Sequence, residues 1–254
     1  MQSLWSVPAT EMEGTSVSML TGYRKEVRIQ TGLPRPIEVL AALIGLMITA
    51  PIMAIVAIAI ALQSRGPVLF RQERIGLGGR NFILYKFRTM VLGNSGPQVT
   101  ASSDKRVTPL GGFLRKTKLD ELPELWNVLR GDMSFVGPRP EVPCYVNRDD
   151  QMWQQVLRVK PGVTHPVTVR LRNEERLIAA AQYDSERFYL ELLLPYKLQG
   201  YLAYQFRRSW LSDVKVIALT FIAVLCPRKV PPADLHVILG QGAVEKRKDR
   251  SSLY

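Results

Sequence analysis

Cysteine and histidine are scarce in this sequence, with two of each among 254 residues. Cys144 and Cys226 lie far apart and form no CxxC, and His165 and His236 stand alone, so neither a disulfide framework nor a zinc site is indicated. A reducing compartment follows as the expectation. The phosphate-loop patterns GxxxxGKS/T and GxGxxG are both missing, which leaves Gly76-Leu-Gly-Gly79 as a turn. Residues 1–30 lack the basic start, apolar middle and small-residue cleavage site of a secretory signal, and 1–34 reads as a non-catalytic leader. There are no internal repeats. Acidic residues are in deficit: 34 Lys and Arg against 22 Asp and Glu leave a net charge of +12. That balance suits a polyanionic partner, whether nucleic acid, anionic lipid or phosphorylated substrate, and by itself does not choose among them.

One long uncharged run is present, the 23 residues from Leu40 to Leu62. As a helix rising 1.5 Å per residue it would measure about 35 Å, against a hydrocarbon core of roughly 30 Å. Pro51 sits at its middle, removes a backbone donor and clashes with the carbonyl of Met47, so a sharp break at mid-segment is expected. Thr49 is placed to bond a freed carbonyl. Arg24, Lys25, Arg28 and Arg35 precede the run, and Arg65, Arg71, Arg74, Arg80, Lys86 and Arg88 follow it. Basic residues on both flanks favour a hairpin that enters and leaves by the cytoplasmic face over a kinked helix that crosses. The segment is taken as 35–65.

Beyond it, Pro67-Val-Leu-Phe-Arg-Gln and Phe82-Ile-Leu-Tyr-Lys-Phe-Arg read as strands of a hairpin presenting Arg71, Arg74, Lys86 and Arg88. Farther on, Leu119, Leu122, Trp126 and Leu129 recur at helical spacing and Gly131 supplies a stop. Asp120 and Glu121 are then expected in the first turn of that helix, with Pro123 tolerated there and the helix dipole keeping both carboxylates ionised. Two carboxylates among cations can run phosphoryl transfer, one attacking phosphorus and the other holding a divalent metal. Arg115 and Arg139, the latter stiffened within Gly137-Pro-Arg-Pro140, are candidate phosphate clamps. The blander reading is that Thr117-Lys-Leu-Asp120 is a capping box at an ordinary acidic helix start.

Taken together, Arg71-Gln-Glu-Arg-Ile-Gly76, Tyr85-Lys-Phe-Arg-Thr-Met90, the stretch from Leu114 to Pro140 and Val159-Lys-Pro-Gly-Val-Thr164 closely resemble the bacterial sugar transferase family, the monotopic polyprenyl-phosphate phosphoglycosyl transferases. The motifs keep the family's order over roughly residues 35–225. The resemblance implies a phospho-sugar passed from a nucleotide diphosphate sugar, with uridine as the expected nucleotide, to polyprenyl (undecaprenyl) phosphate. It implies Asp120 as the nucleophile of a covalent intermediate in a ping-pong cycle, Glu121 as the ligand of a magnesium ion, and Arg115, Arg139, Lys86 and Arg88 around the phosphates. It also implies a re-entrant helix broken at Pro51, membrane lipid as a partner and a role in initiating cell-surface glycan assembly at the inner face of the bacterial inner membrane. Nucleic acid is not an expected partner, and a homodimer is compatible with the sequence. Two departures stand out: Pro34-Arg-Pro-Ile-Glu38 where the family has Lys-Arg-x-x-Asp, and Thr164-His165-Pro166 where it has Thr-Gly.

The expected fold is thus α/β, mostly helical with a small β-hairpin. A leader (1–34), a membrane helix (35–65), a cytoplasmic catalytic domain with interfacial helices (66–226) and a basic tail (227–254) would follow in order. Residues 196–212, rich in Tyr and with Trp210, suit either the headgroup region or packing on the domain. Val216–Cys226 is too short to span. The competing functional class is a non-catalytic basic membrane scaffold or lipid-binding protein, which explains charge and apolar run but not an acidic pair among arginines.

Overall fold

A computed structural model describes residues 32–93, 104–180 and 184–232. Most of the leader and tail expected from the sequence, including Arg24, Lys25 and Arg28, lie outside the described residues. Helix α1 spans Arg35–Gln63, with Pro36 in its first turn, where a missing N–H costs nothing. It does not end at Pro51: the helical backbone continues through it. One proline deletes one hydrogen bond, and the turns on either side keep theirs. Thr49 bonds the Gly45 carbonyl at 2.7 Å, not that of Met47.

The helix lies against the rest of the chain along one stripe. Glu38, Ala42, Val56 and Ile60 are buried and Thr49 and Met53 half-buried, a spacing of three to four residues that keeps to one helical face. Ala42 packs with Leu84, Val128 and Met133, and Val56 and Ile60 pack with Phe87 and Leu114. The opposite face is apolar and open, with Ile48 70% and Leu62 83% exposed. Only 11% of its most apolar 18-residue window is buried, so this is not the core helix of a water-soluble domain.

Both ends of α1 are tied to the same body. At its start, the buried Glu38 accepts from Ser134 Oγ and, at 3.3 Å, from Phe135 N, while Arg35 Nη2 donates to Leu129 O at 2.9 Å. At its end, the Arg88 guanidinium donates to Ser64 O and Arg65 O, each at 2.8 Å, satisfying carbonyls that a helix terminus leaves open.

Strands β1 (Leu69–Ile75) and β2 (Asn81–Phe87) form the expected antiparallel hairpin, with Leu69 opposite Phe87 and Ile75 opposite Asn81. Its turn needs glycine, since Gly78 and Gly79 both have positive φ. Helix α2 (Pro109–Thr117) is capped by Thr108, whose Oγ1 accepts from Gly111 N at 3.0 Å. A 3-10 turn (Leu119–Glu121) and helix α3 (Glu124–Arg130) follow, and Gly131 in the left-handed region closes α3.

A second sheet, not anticipated from the sequence, pairs β3 (Ser134–Val136) in parallel with β4 (Gly162–Thr164). Three-residue strands show no usable alternation, so periodicity could not have found them. The pairing depends on two glycines: a Cβ on Gly162 would lie 2.1 Å from Gly137 N, and one on Gly137 would lie 2.4 Å from Lys160 O.

The remaining helices are α4 (Gln151–Val156), α5 (Pro166–Arg170), α6 (Glu174–Ala180), α7 (Ser185–Phe188), α8 (Leu194–Arg207) and α9 (Trp210–Leu225), with a π turn (Tyr189–Leu193) joining α7 to α8. They enclose the largest core, which includes Trp153, Leu177, Phe188, Leu193, Leu198 and Tyr201. For 196–212 the packed reading prevails in α8, where Leu198 and Tyr201 are buried, whereas Trp210 and Leu211 at the start of α9 are exposed. Among the described residues the fold is therefore mostly helical with two small sheets and one long apolar helix near the N-terminus.

Candidate active site

Asp120 and Glu121 are not in the first turn of α3. They occupy the separate 3-10 turn before it, because Lys118 adopts a left-handed conformation (φ 60°) that ends α2 and redirects the chain. Nor is Thr117 a cap: it is the last residue of α2, and its hydroxyl donates back to Phe113 O at 2.9 Å. The pair is thereby set outside α3, in a tighter turn beside strand β2.

Three segments meet at this turn. Strand β2 brings Lys86, whose Nζ bridges Glu121 Oε1 at 3.2 Å and Glu124 Oε1 at 3.1 Å. The Pro-Arg-Pro segment brings Arg139, which donates to Glu121 Oε1. Helix α3 contributes Glu124, 1% exposed, a third carboxylate that sequence reasoning left unassigned. Asn127 of α3 aligns the strand: its amide donates to Ile83 O at 2.7 Å and accepts from Tyr85 N at 3.1 Å, taking the place of a neighbouring strand beside Lys86.

Burial raises both acids of the pair, and cation contacts separate them. Asp120 is pushed up from the ordinary aspartate range, first by burial and then by the Glu121 charge, with Lys86, Lys118 and Arg115 pulling the other way. Burial would also raise Glu121, but Arg139, Lys86 and Lys118 outweigh it and hold that carboxyl well below its usual range. Helix-dipole reasoning predicts a common downward pull on both; direct cation contacts reach only Glu121. Two carboxylates driven in opposite directions are poised for different roles.

Asp120 Oδ1 is buried and has no hydrogen-bond partner. Such an orphan costs free energy unless a ligand completes it. The resemblance implies magnesium, and this oxygen fits it. Among the described residues no three His, Cys, Asp or Glu side chains gather into a metal cage, but magnesium commonly binds one or two carboxylates plus substrate phosphates and waters. Asp120 Oδ1 is the open position, whereas Glu121 Oε1 already accepts from two cations.

The other candidate residues divide. Arg115 lies close enough to pull on Asp120, yet its guanidinium donates to Thr89 Oγ1 at 3.0 Å and to Glu175 at 2.8 Å. Arg88, expected in the cleft beside Lys86, is instead buried at the end of α1, because a helix terminus beside the hairpin offers it three acceptors. Arg71 is exposed and rests over the Tyr85 ring at 5.8 Å. Arg74 turns toward Pro140 O at 2.9 Å and Glu141 at 3.9 Å. His165, given no catalytic role from the sequence, is fully buried between Tyr201 and Tyr204, and its pKa is lowered to about 3 by burial first and then Arg208.

The model of the bacterial sugar transferase family matches residues 29–227. A UDP-N-acetylgalactosamine-undecaprenyl-phosphate N-acetylgalactosaminephosphotransferase of Aeromonas hydrophila is 41% identical over 139 residues, covering 52% of this chain and 32% of that protein. A UDP-glucose:undecaprenyl-phosphate glucose-1-phosphate transferase of Xanthomonas campestris pv. campestris is 37% identical over 199 residues, covering 72% and 37%. One of the same name from Caulobacter vibrioides is 43% identical over 144 residues, covering 54% and 53%. The chain thus spans between a third and about half the length of these relatives.

Proposed function

Because the chain belongs to the bacterial sugar transferase family, we propose that it transfers a phospho-sugar from a UDP-sugar to undecaprenyl phosphate at the cytoplasmic face of the inner membrane, as the first step of a cell-surface glycan. The observation that carries this is the orphaned, buried Asp120 oxygen beside a Glu121 that Lys86 and Arg139 hold ionised.

The Asp120 carboxylate attacks the phosphorus that bears the sugar. The bond to the bridging oxygen of the diphosphate breaks, and uridine monophosphate leaves with that oxygen and its electrons. An oxygen of undecaprenyl phosphate then attacks the aspartyl phospho-sugar, giving undecaprenyl diphospho-sugar and restoring the carboxylate. Burial of Asp120 strips solvent from the nucleophile, and Lys86 and Arg115, which pull on Asp120, with Arg139, which pairs with Glu121, would take up charge on the phosphate oxygens. Magnesium, for which the resemblance gives Glu121 as the ligand and beside which Asp120 Oδ1 would lie open, would neutralise the diphosphate.

The path of α1, unbroken at Pro51, supports a monotopic attachment rather than a crossing. One body holds both its ends through Glu38 and Arg88 and packs along its whole length, while the outer face offers apolar side chains to lipid. A straight crossing would separate those ends by a bilayer.

Incubation with a panel of UDP-sugars, followed by a quench that preserves acyl phosphates, should place phospho-sugar on the peptide containing Asp120. UMP release should need magnesium. A non-catalytic lipid-binding scaffold would show neither, and normal turnover by Asp120→Asn would exclude the covalent route.

A further inference from the structure

Next to the acidic pair lies a second buried ionic network that contains none of the reacting groups. Glu141 follows Pro138-Arg-Pro140 directly and is 5% exposed. Its Oε1 accepts from Lys197 Nζ at 3.1 Å and from the Tyr189 hydroxyl. Lys197, from α8, is 4% exposed, also donates to Tyr189 OH at 3.0 Å and Glu174 at 3.3 Å, and sits 4.7 Å over the Tyr189 ring.

The network grips a single short segment. Upstream of Arg139, Gly137 N donates to Thr164 O at 3.0 Å and Pro138 O accepts from Gly162 N at 2.9 Å. Downstream, Pro140 O accepts from Arg74 at 2.9 Å, Glu141 O accepts from Ile75 N at 2.9 Å, and the Glu141 side chain is held by Lys197 and Tyr189. Prolines on both sides of Arg139 fix φ as well. The backbone is pinned before and after one residue, and that residue's guanidinium is the group that reaches Glu121.

A buried ion pair adds little stability over an apolar pair of similar size, so stability alone is a weak reason to keep one here. A charge pair has defined geometry and an apolar pair does not, and geometry is what a two-proton fork such as Arg139 requires. We infer that Glu141, Lys197 and Tyr189 are positioning residues for Arg139, through which helix α8 of the C-terminal third sets the grip of the site on the donor diphosphate. The inference rests on the proposed role of Arg139 in binding that diphosphate.

The test uses the full chain in lipid nanodiscs, with UDP and magnesium as the probe, binding by isothermal titration calorimetry and unfolding by thermal melt. The double variant Glu141→Gln/Lys197→Met removes both charges of the pair together, and the two groups that lose a partner, Arg74 and Glu174, are partly open to solvent. It should weaken UDP about tenfold, the loss expected when a charge-assisted contact is misaligned, while its melting midpoint stays near wild type. Tyr189→Phe deletes one hydroxyl and keeps the ring, and should weaken UDP about threefold. It decides the matter if the double variant does not fold. Wild-type UDP affinity in Tyr189→Phe, or in a folded double variant, overturns the inference. Wild-type affinity in Arg139→Ala would instead remove the donor-binding reading on which it rests.

Discussion

Two buried aspartates, Asp120 and Asp213, are 7% and 0% exposed and resolve the cost of burial in opposite ways. Asp213 is saturated. It accepts from Arg208 Nε and Nη2, from the Tyr204 hydroxyl at 2.8 Å and from Leu33 N at 3.0 Å, and Arg208 goes on to Val136 O at 2.8 Å. The residue thereby gathers the approach to α1, strand β3 and helix α9. Asp120 has an oxygen with no partner, and Lys86, which pulls on it, is bonded to Glu121 and Glu124 instead. A satisfied buried carboxylate holds elements together; an unsatisfied one carries a cost, which the proposed function assigns to a ligand that completes it.

The sharpest way to break this contrast is to remove each charge in turn. Asp120→Asn should cut turnover at least about a thousandfold, the scale for a lost nucleophile, as read by UMP release. Asp213→Ala should lower unfolding free energy by about 3 kcal/mol, because it strands the buried Arg208, as read by denaturant titration. Equal activity losses per folded molecule in both variants would erase the distinction. A smaller effect has the opposite sign: Asp120→Asn should stabilise the fold by about 1 kcal/mol, since a neutral amide relieves a buried charge.

That gain should depend on pH. Burial raises the Asp120 pKa in the fold, so its ionised form costs stability as pH rises through and above the ordinary value of 3.8. The gap between variant and wild type should therefore widen from acid toward neutral pH. Glu121 acts inversely: held below its ordinary 4.5, it contributes stability above that value and loses it as pH falls through the lowered one. A gap that narrows toward neutral pH would contradict the assignment. Smallest of all, Tyr204→Phe removes one of several donors to Asp213 and should cost about 0.5 kcal/mol with turnover unchanged.

The hairpin, α1 and the acid pair were legible from the sequence because each rests on local pattern: strand alternation around glycines, a long apolar run, adjacent Asp and Glu. The capping box at Thr117 was a false signal of the same kind. Thr108, nine residues earlier, is the true cap of α2, and the left-handed Lys118 then detaches the pair from α3. Neither Glu141 nor Lys197 stood out, since they are 56 residues apart and acquire meaning only when α8 packs beneath the Pro-Arg-Pro segment. Glu38 was noted only as a departure from the family pattern, and it proves to anchor α1 to β3.

Composition, the order of the motifs and the apolar run by themselves determined that this chain is a basic, membrane-seeking member of a transferase family with Asp120 and Glu121 adjacent among cations, because those properties are sums or neighbour relations along the chain. Which carboxyl has its pKa raised and which has it lowered, which arginine faces Glu121 and where both ends of α1 are held were decided only in three dimensions. Those outcomes depend on distances of a few ångströms between residues far apart in sequence, and on how completely packing excludes water from them.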